Sequence, residues 1–334
     1  MNKRLIALLT AAALFVLAVA SSLFTSSFTS TMSQELEGLN DSDTLQETTL
    51  SGTDADNKIA RIEVNGVIQD TGSPSLFSDG SYNHQVMMQE LEEIKDDSSI
   101  KGIMLVVNSP GGGVYESAEI YDKLKEIKAK NKKIYVTMKS TAASGGYYIS
   151  APADKIYASR ETMTGSLGVI MQSMNYKELA DKYGVKFNTI KSGAHKDIMS
   201  PTKEMDDSER RILQSLVDES YNQFVQVIAD GRGMSTSEVK KLADGRVYSG
   251  LQAKNNGLVD ELGLEEDALK ALKKELDADQ AEVIEFDQQD SIFGNNPFAA
   301  ETWVSKLTGQ NDVAAVKELI ANRQGITPMY LYGE

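Results

Sequence analysis

Apolar and polar positions divide the chain into one long apolar block, a polar stretch, and then short blocks of strand and helix period. Residues 5–24 are apolar apart from Thr10, Ser21 and Ser22 and follow Lys3-Arg4; that length is close to the roughly 20 residues a helix needs to cross a bilayer. Two readings fit: an uncleaved anchor continuing through Leu23-Phe24, which the length favours, or a signal peptide cut after Ala18-Val-Ala20. Both leave the basic pair inside and export the remainder. Residues 25–57, rich in Ser, Thr, Asp, Glu and Gln, read as a solvated tether.

From Lys58 the blocks shorten. Ile59, Ile62, Val64, Val67 and Ile68 make a strand-like run broken by the turn signal Asn65-Gly66. After a loop over 70–83, residues 84–95 have helical period, with Val86, Leu91 and Ile94 apolar. Residues 102–107 are continuously apolar, the signature of a strand covered on both faces. They end at Asn108-Ser-Pro-Gly-Gly-Gly113, and helical spacing follows over 114–130. Strand, glycine-rich turn and helix then recur: residues 134–138 lead to Ala142-Ala-Ser-Gly-Gly146 and a helix to Ser150, and residues 155–158 lead to Thr164-Gly-Ser-Leu-Gly168. The recurrence predicts an α/β fold of stacked ββα units under a parallel sheet.

Further on, the pattern predicts a helix over 176–183, a strand over 186–190, a loop over 191–201 and a long helix over 206–230 stopped by Gly231. Shorter helices are expected over 235–243, 251–256 and 265–276, a strand over 283–286 and a last helix near 313–322. Met329-Tyr-Leu-Tyr332 is an apolar tail, expected to pack on a neighbouring subunit rather than imitate a peptide ligand. The predicted division is 1–24 anchor or signal peptide, 25–57 tether, 58–262 core, and 263–334 C-terminal helices and tail with oligomer contacts.

Composition narrows the chemistry. A formal net charge of −15 over 334 residues argues against a nucleic-acid partner, which wants clustered cations. With no cysteine and only His84 and His195, thiolate chemistry is excluded and a metal site built on several imidazoles nearly so, so no metal or cofactor is expected. His84 falls at a helix start and reads as a terminal or solvated side chain.

Hydroxyl, carboxylate and lysine chemistry remain. Ser144 stands among Ala142, Ala143, Gly145 and Gly146, small residues that leave its hydroxyl uncovered at a helix N-terminus, where developing negative charge is favoured. An ordinary N-cap serine fits the same motif. Lys196 lies in a glycine-containing loop beside Ile198-Met199 and is a candidate base if burial or nearby positive charge lowers its pKa; a solvated surface lysine is the plain alternative. Pro110-Gly-Gly-Gly113 offers backbone N–H groups suited to an oxyanion, without the ending of a P-loop or the dinucleotide fingerprint.

Together, Asn108-Ser-Pro-Gly-Gly-Gly113, Ala142-Ala-Ser-Gly-Gly-Tyr-Tyr148, Thr164-Gly-Ser-Leu-Gly-Val169 and Lys191-Ser-Gly-Ala-His-Lys-Asp197 resemble the signal peptide peptidase A family over residues 58–262. The resemblance implies a crotonase/Clp-protease-like superhelix of ββα units behind a transmembrane helix. It implies Ser144 as nucleophile, Lys196 as general base, Ser166 orienting the lysine, and Gly111 and Gly145 as oxyanion donors. It further implies a single-pass protein of the cell membrane with its catalytic part on the extracytoplasmic side. This short, single-copy form would assemble as a homo-oligomeric ring with sites shared between subunits, and would take hydrophobic signal peptides as substrates. Two other readings compete: an acyl-CoA-handling enzyme on the same fold, and a non-catalytic membrane scaffold.

Overall fold

The continuous apolar run at 102–107 becomes the middle of a mostly parallel sheet. The computed structural model describes residues 45–71, 82–287 and 328–332. Two units divide the chain, residues 1–46 with 287–290 and residues 47–286 with 291–334, and the second is the one described below. The expected membrane segment at 5–24, most of the tether and the expected helix near 313–322 lie outside the described residues. Among the described residues no helix is long and apolar enough to cross a membrane.

In chain order the elements are β1 (Gln46–Ser51), β2 (Asp54–Asn65), α1 (His84–Asp96), β3 (Ile100–Ser109), β4 (Gly111–Gly113), α2 (Val114–Ala129), β5 (Lys133–Ala143), α3 (Gly145–Ser150), β6 (Lys155–Ala158), β7 (Met163–Gly165), α4 (Lys177–Lys182), α5 (Asp207–Arg232), α6 (Thr236–Leu242), β8 (Val247–Ser249), α7 (Gly250–Asn255), β9 (Glu261–Leu262), α8 (Glu265–Glu275), β10 (Ala281–Asp287) and β11 (Met329–Leu331). The main sheet runs β1-β10-β2-β3-β5-β6-β9, and β7 pairs with β5 and β8. From β10 through β2, β3, β5 and β6 to β9 every pairing is parallel, as expected where helices carry the chain back between strands.

Alternation along β3 divides its side chains between two layers. Met104 and Val106 join Ile59, Tyr135 and Tyr157 under Ala268 and Leu272 of α8. Leu91 and Ile94 of α1 and Ile120, Leu124 and Ile127 of α2 are also fully buried, and the two helices pack together. Burial on both faces explains why this strand carries no polar alternation. Parallel strands all end on the same side, so the ends of β3, β5 and β7 deliver the three glycine-rich corners to one edge of the sheet.

Several expectations differ from the structure. Residues 46–51 and 54–57, expected in the tether, lie in β1 and β2. Residues 186–190 form no strand: Val185, Phe187 and Ile190 are exposed and pair with no neighbour in the sheet. Helix α5 does not stop at Gly231. It runs to Arg232 and closes on Gly233, whose φ of 64° is the left-handed geometry glycine supplies cheaply. Gly231 instead permits contact, since a β-carbon there would lie 2.0 Å from the Ala151 carbonyl oxygen.

Candidate active site

Ser144 joins the end of β5 to the start of α3 with φ 55° and ψ −115°. Such a backbone costs a non-glycine residue on the order of 1–3 kcal/mol and persists only where surroundings over-determine it. Here they do: Ala142 and Ala143 pair with Thr164 and Gly165 of β7, and the Ser144 amide donates to the Gly165 carbonyl at 2.8 Å. Ser144 occupies the N-cap position of α3, yet its side chain makes no capping hydrogen bond. The capping explanation for this serine therefore fails. The small flanking residues do not expose it either: it is 1% accessible, and its Oγ has no hydrogen-bond partner among the described residues. A buried hydroxyl without a partner costs about 1–3 kcal/mol of desolvation, a second sign that this corner is not built for stability alone.

The small residues serve close approach. A β-carbon on Gly145 would lie 2.8 Å from Ser117 Oγ and 3.1 Å from both Gly111 Cα and the Gly112 nitrogen. One on Gly111, which has φ 105°, would lie 2.7 Å from the Gly145 nitrogen and 2.0 Å from the Tyr330 carbonyl oxygen. Gly111 and Gly145 are thus brought together. The Gly111 N–H donates to Ser109 Oγ at 3.1 Å, and Ser117 Oγ donates to the Gly113 carbonyl at 2.8 Å, so two buried serines fix the shape of β4.

An extended segment of the chain itself lies against these glycines. Strand β11 is antiparallel to β4, with Leu331 opposite Gly111, Tyr330 opposite Gly112 and Met329 opposite Gly113. On its other side Met329 exchanges both backbone hydrogen bonds with Ile170, at 3.0 and 3.1 Å. The Tyr330 ring is fully buried, stacked on Tyr148 at 4.9 Å and packed on Phe224 at 4.6 Å, with its hydroxyl donating to the Ser220 carbonyl at 3.0 Å. Burial pushes the Tyr330 phenol well above its ordinary pKa. The tail, expected to pack on a neighbour, therefore occupies a groove of its own chain.

Ser166 follows Gly165 with φ 50°, is largely buried, and donates its amide to the Arg246 carbonyl at 2.8 Å. Gly165 links the Ser144 and Ser166 corners directly. Lys196 is not brought to Ser144: it is exposed in the loop after α4, and its backbone N–H donates to the Gly193 carbonyl at 3.3 Å. Around it the loop is tied by charge. Asp197 Oδ1 accepts from Lys191 at 2.6 Å and lies 2.9 Å from the Lys203 ammonium, which also pairs with the fully buried Glu209. These hydrogen bonds, that of Lys191 first, hold the Asp197 carboxyl down at about 2. His195 is half exposed, with Nδ1 4.0 Å from Glu209. His84 is buried at the start of α1, where Nδ1 meets the Tyr82 hydroxyl at 2.5 Å and Nε2 meets Glu119 at 2.9 Å.

The model of peptidase family S49 matches residues 126–279. A protein of Enterococcus faecium carrying the name signal peptide peptidase SppA is 47% identical over 295 residues, which are 87% of this chain and 86% of that protein. The chain belongs to peptidase family S49. It is a serine protease, in keeping with relatives such as Protease 4 of Haemophilus influenzae, 35% identical over 62% of this chain and 33% of its own length. A looser structural likeness, TM-score 0.41 at 21% identity, links 63% of the chain to 94% of a ClpP1 point mutant from Listeria monocytogenes.

In this S49 chain, sequence reading singled out Ser144, Lys196, Ser166, Gly111 and Gly145, with Gly112 only as part of the glycine run, and passed over Ser109 and Ser117. Ser109 and Gly112 lie within the Asn108–Gly113 motif already noted. Ser117 has no local signal, because its role is a contact across two elements.

Proposed function

We propose that the chain is a membrane-bound serine endopeptidase that degrades remnant signal peptides, and other exposed hydrophobic peptides, after preprotein processing. Ser144 is the nucleophile and Lys196 the general base. The carrying observation is the extended strand Met329–Leu331 held between Gly111–Gly113 and Ile170, with the Tyr330 carbonyl close against Gly111. A peptide substrate bound as an added strand would use the same backbone bonds. The aromatic wall of Tyr148 and Phe224 supports a preference for apolar side chains.

In the reaction, neutral Lys196 takes the proton of Ser144 Oγ as that oxygen attacks the scissile carbonyl. The Gly145 amide, with the Gly111 amide once it is released from Ser109 Oγ, stabilises the oxyanion. The protonated lysine then gives its proton to the departing amine, and water, deprotonated by the same lysine, releases the acyl group and restores Ser144. Ser166 orients the amine.

Lysine ordinarily titrates at about 10.4, so the base must lose solvent to act near neutrality. Lys196 is exposed within one chain, as are the apolar Met174, Leu179, Tyr183, Phe187 and Ile190 of the same region. Exposed apolar area of this kind marks a surface that meets a partner. It supports a homo-oligomeric ring in which Lys196 of one subunit is covered at, and serves, the Ser144 site of the next. Residues 5–24 would anchor the assembly with its sites outside the cytoplasm.

The test is hydrolysis of a fluorogenic hydrophobic peptide by the full chain in detergent, with Ser144→Ala and Lys196→Ala alongside, and labelling by a fluorophosphonate. Loss of hydrolysis in both variants and an adduct on Ser144 are expected; undiminished turnover in either variant overturns the dyad.

A further inference from the structure

The charges around Lys196 form a chain with a buried end. Lys191, Asp197, Lys203 and Glu209 alternate in sign, and each contacts the next. Glu209 has no accessible side-chain surface, although it stands in the first turn of α5 on an otherwise polar surface. A carboxylate so placed is costly unless paired. One oxygen, Oε2, accepts from the Asp206 amide at 3.3 Å and completes the capping box of α5. That job needs no charge, since glutamine performs it equally. The other oxygen, Oε1, takes the Lys203 ammonium and faces His195 Nδ1. The residues immediately before and after Lys196 are thus both directed to the same buried oxygen, one across 4.0 Å and one through Lys203.

We propose that Glu209 and Asp197, joined through Lys203, are positioning residues for Lys196, holding its loop on the first turn of α5. The inference rests on Lys196 being the general base. Residues 185–205 contain no helix or strand and Lys196 itself is exposed; besides these ties the loop is held by the buried Met199 and, near its end, by bonds from the Tyr176 amide to the Pro201 carbonyl and from Asn175 Nδ2 to the Lys203 carbonyl. Five groups face the Lys203 ammonium or its partners: Lys191 and His195 from the loop, Asp206 from the cap of α5, and Glu204 and Arg210 from the cavity wall they share with Lys203. Lys191, Lys203 and Arg210 stand among Asp197, Glu209, Asp206 and Glu204, so neutralising Asp197 or Glu209 removes one negative charge from the surroundings of Lys196. That loss favours the ammonium less and eases the release of its proton.

The experiment compares kcat, KM and the pH profile of kcat/KM for the full-length protein with Glu209→Gln, Asp197→Asn, Asp197→Glu and Lys196→Ala. Glu209→Gln keeps the helix cap and removes the charge. Expected are a kcat lower by about tenfold with KM within about twofold, and an acid limb moved to lower pH in both neutral variants. Asp197→Glu should recover most of the rate and restore the limb. A loop that merely aids folding would change the amount of active protein and leave the limb in place. If Glu209→Gln fails to fold, Asp197→Asn, at a partly exposed position, carries the test. Wild-type kcat and an unmoved limb in the neutral variants, with Lys196→Ala inactive, overturn the inference and leave the dyad standing. An active Lys196→Ala overturns the dyad itself.

Discussion

The Ser144 corner and the Lys196 loop are built by opposite means. Ser144 sits where β5, β7 and α3 meet, at 1% exposure, in a backbone geometry that only its surroundings maintain. Lys196 sits in a stretch without helix or strand, among exposed residues, held by ion pairs to the start of α5. The proposed nucleophile is thus fixed by the same burial that stabilises the fold. The proposed base is held by part-exposed ion pairs worth little each and one pair to the buried Glu209, and it stays solvated within one chain. A serine needs only a strained corner and nearby amides, which one chain supplies. A lysine at neutral pH needs to lose water, which this loop alone does not provide.

The largest effect is expected at the rigid corner. Gly111→Ala puts a methyl group 2.0 Å from the Tyr330 carbonyl oxygen and 2.7 Å from the Gly145 nitrogen at a φ suited to glycine. Peptide hydrolysis should fall by on the order of 100-fold or more, with the overall circular dichroism preserved. Near-normal turnover would show that β4 can shift and that the corner is not over-determined. Next comes the groove. Tyr330→Ala removes a fully buried ring, a change that costs about 3–5 kcal/mol in cores, and so should release β11. Hydrogen exchange at 111–113 should speed up, and KM for a hydrophobic peptide should drop by about tenfold. An unchanged KM would mean that the tail leaves the groove without cost. A smaller effect separates stability from activity. Ser144→Ala deletes an unpartnered buried hydroxyl and should raise Tm by roughly 2–4 °C while abolishing turnover; a fall in Tm would mean that the hydroxyl is satisfied in solution.

What could be read from sequence follows the same division. The β3 run and the helices at 84–95 and 114–130 were legible because burial on one or two faces imposes a period. Glycine-rich corners were legible because close approach and positive φ admit few other residues. The covering of Ser144 was not, since alanine and glycine neighbours are compatible with exposure and with tight contact, and the close approach of Gly145 to Gly111 and Ser117 joins residues distant in sequence. Residues 186–190 were too short to show a period, and among the described residues they pair with no strand. The tail at 329–331 is too short for periodicity, and its pairing with β4 is wholly long-range. The ion-pair chain through Lys203 joins residues on a loop and a helix that no local pattern connects.

The smallest effect tests whether that chain of charges exists in solution. Asp197 is held at about 2, below the roughly 3.9 of an unstructured aspartate, by Lys191 first and Lys203 second. A carboxylate depressed on folding contributes stability that is fully present above its unfolded pKa and is lost as pH falls through the folded one. Thermal stability of the wild type should therefore decline between about pH 4 and pH 2 more steeply than that of Asp197→Asn. Above about pH 5 the variant should lie below the wild type by a constant margin, and salt should narrow that margin because the pairs are near the surface. Parallel curves across the acid range would mean that the loop bearing Lys196 is not held by its charges within one chain. Whatever fixes the proposed base would then have to come from the surface that covers it.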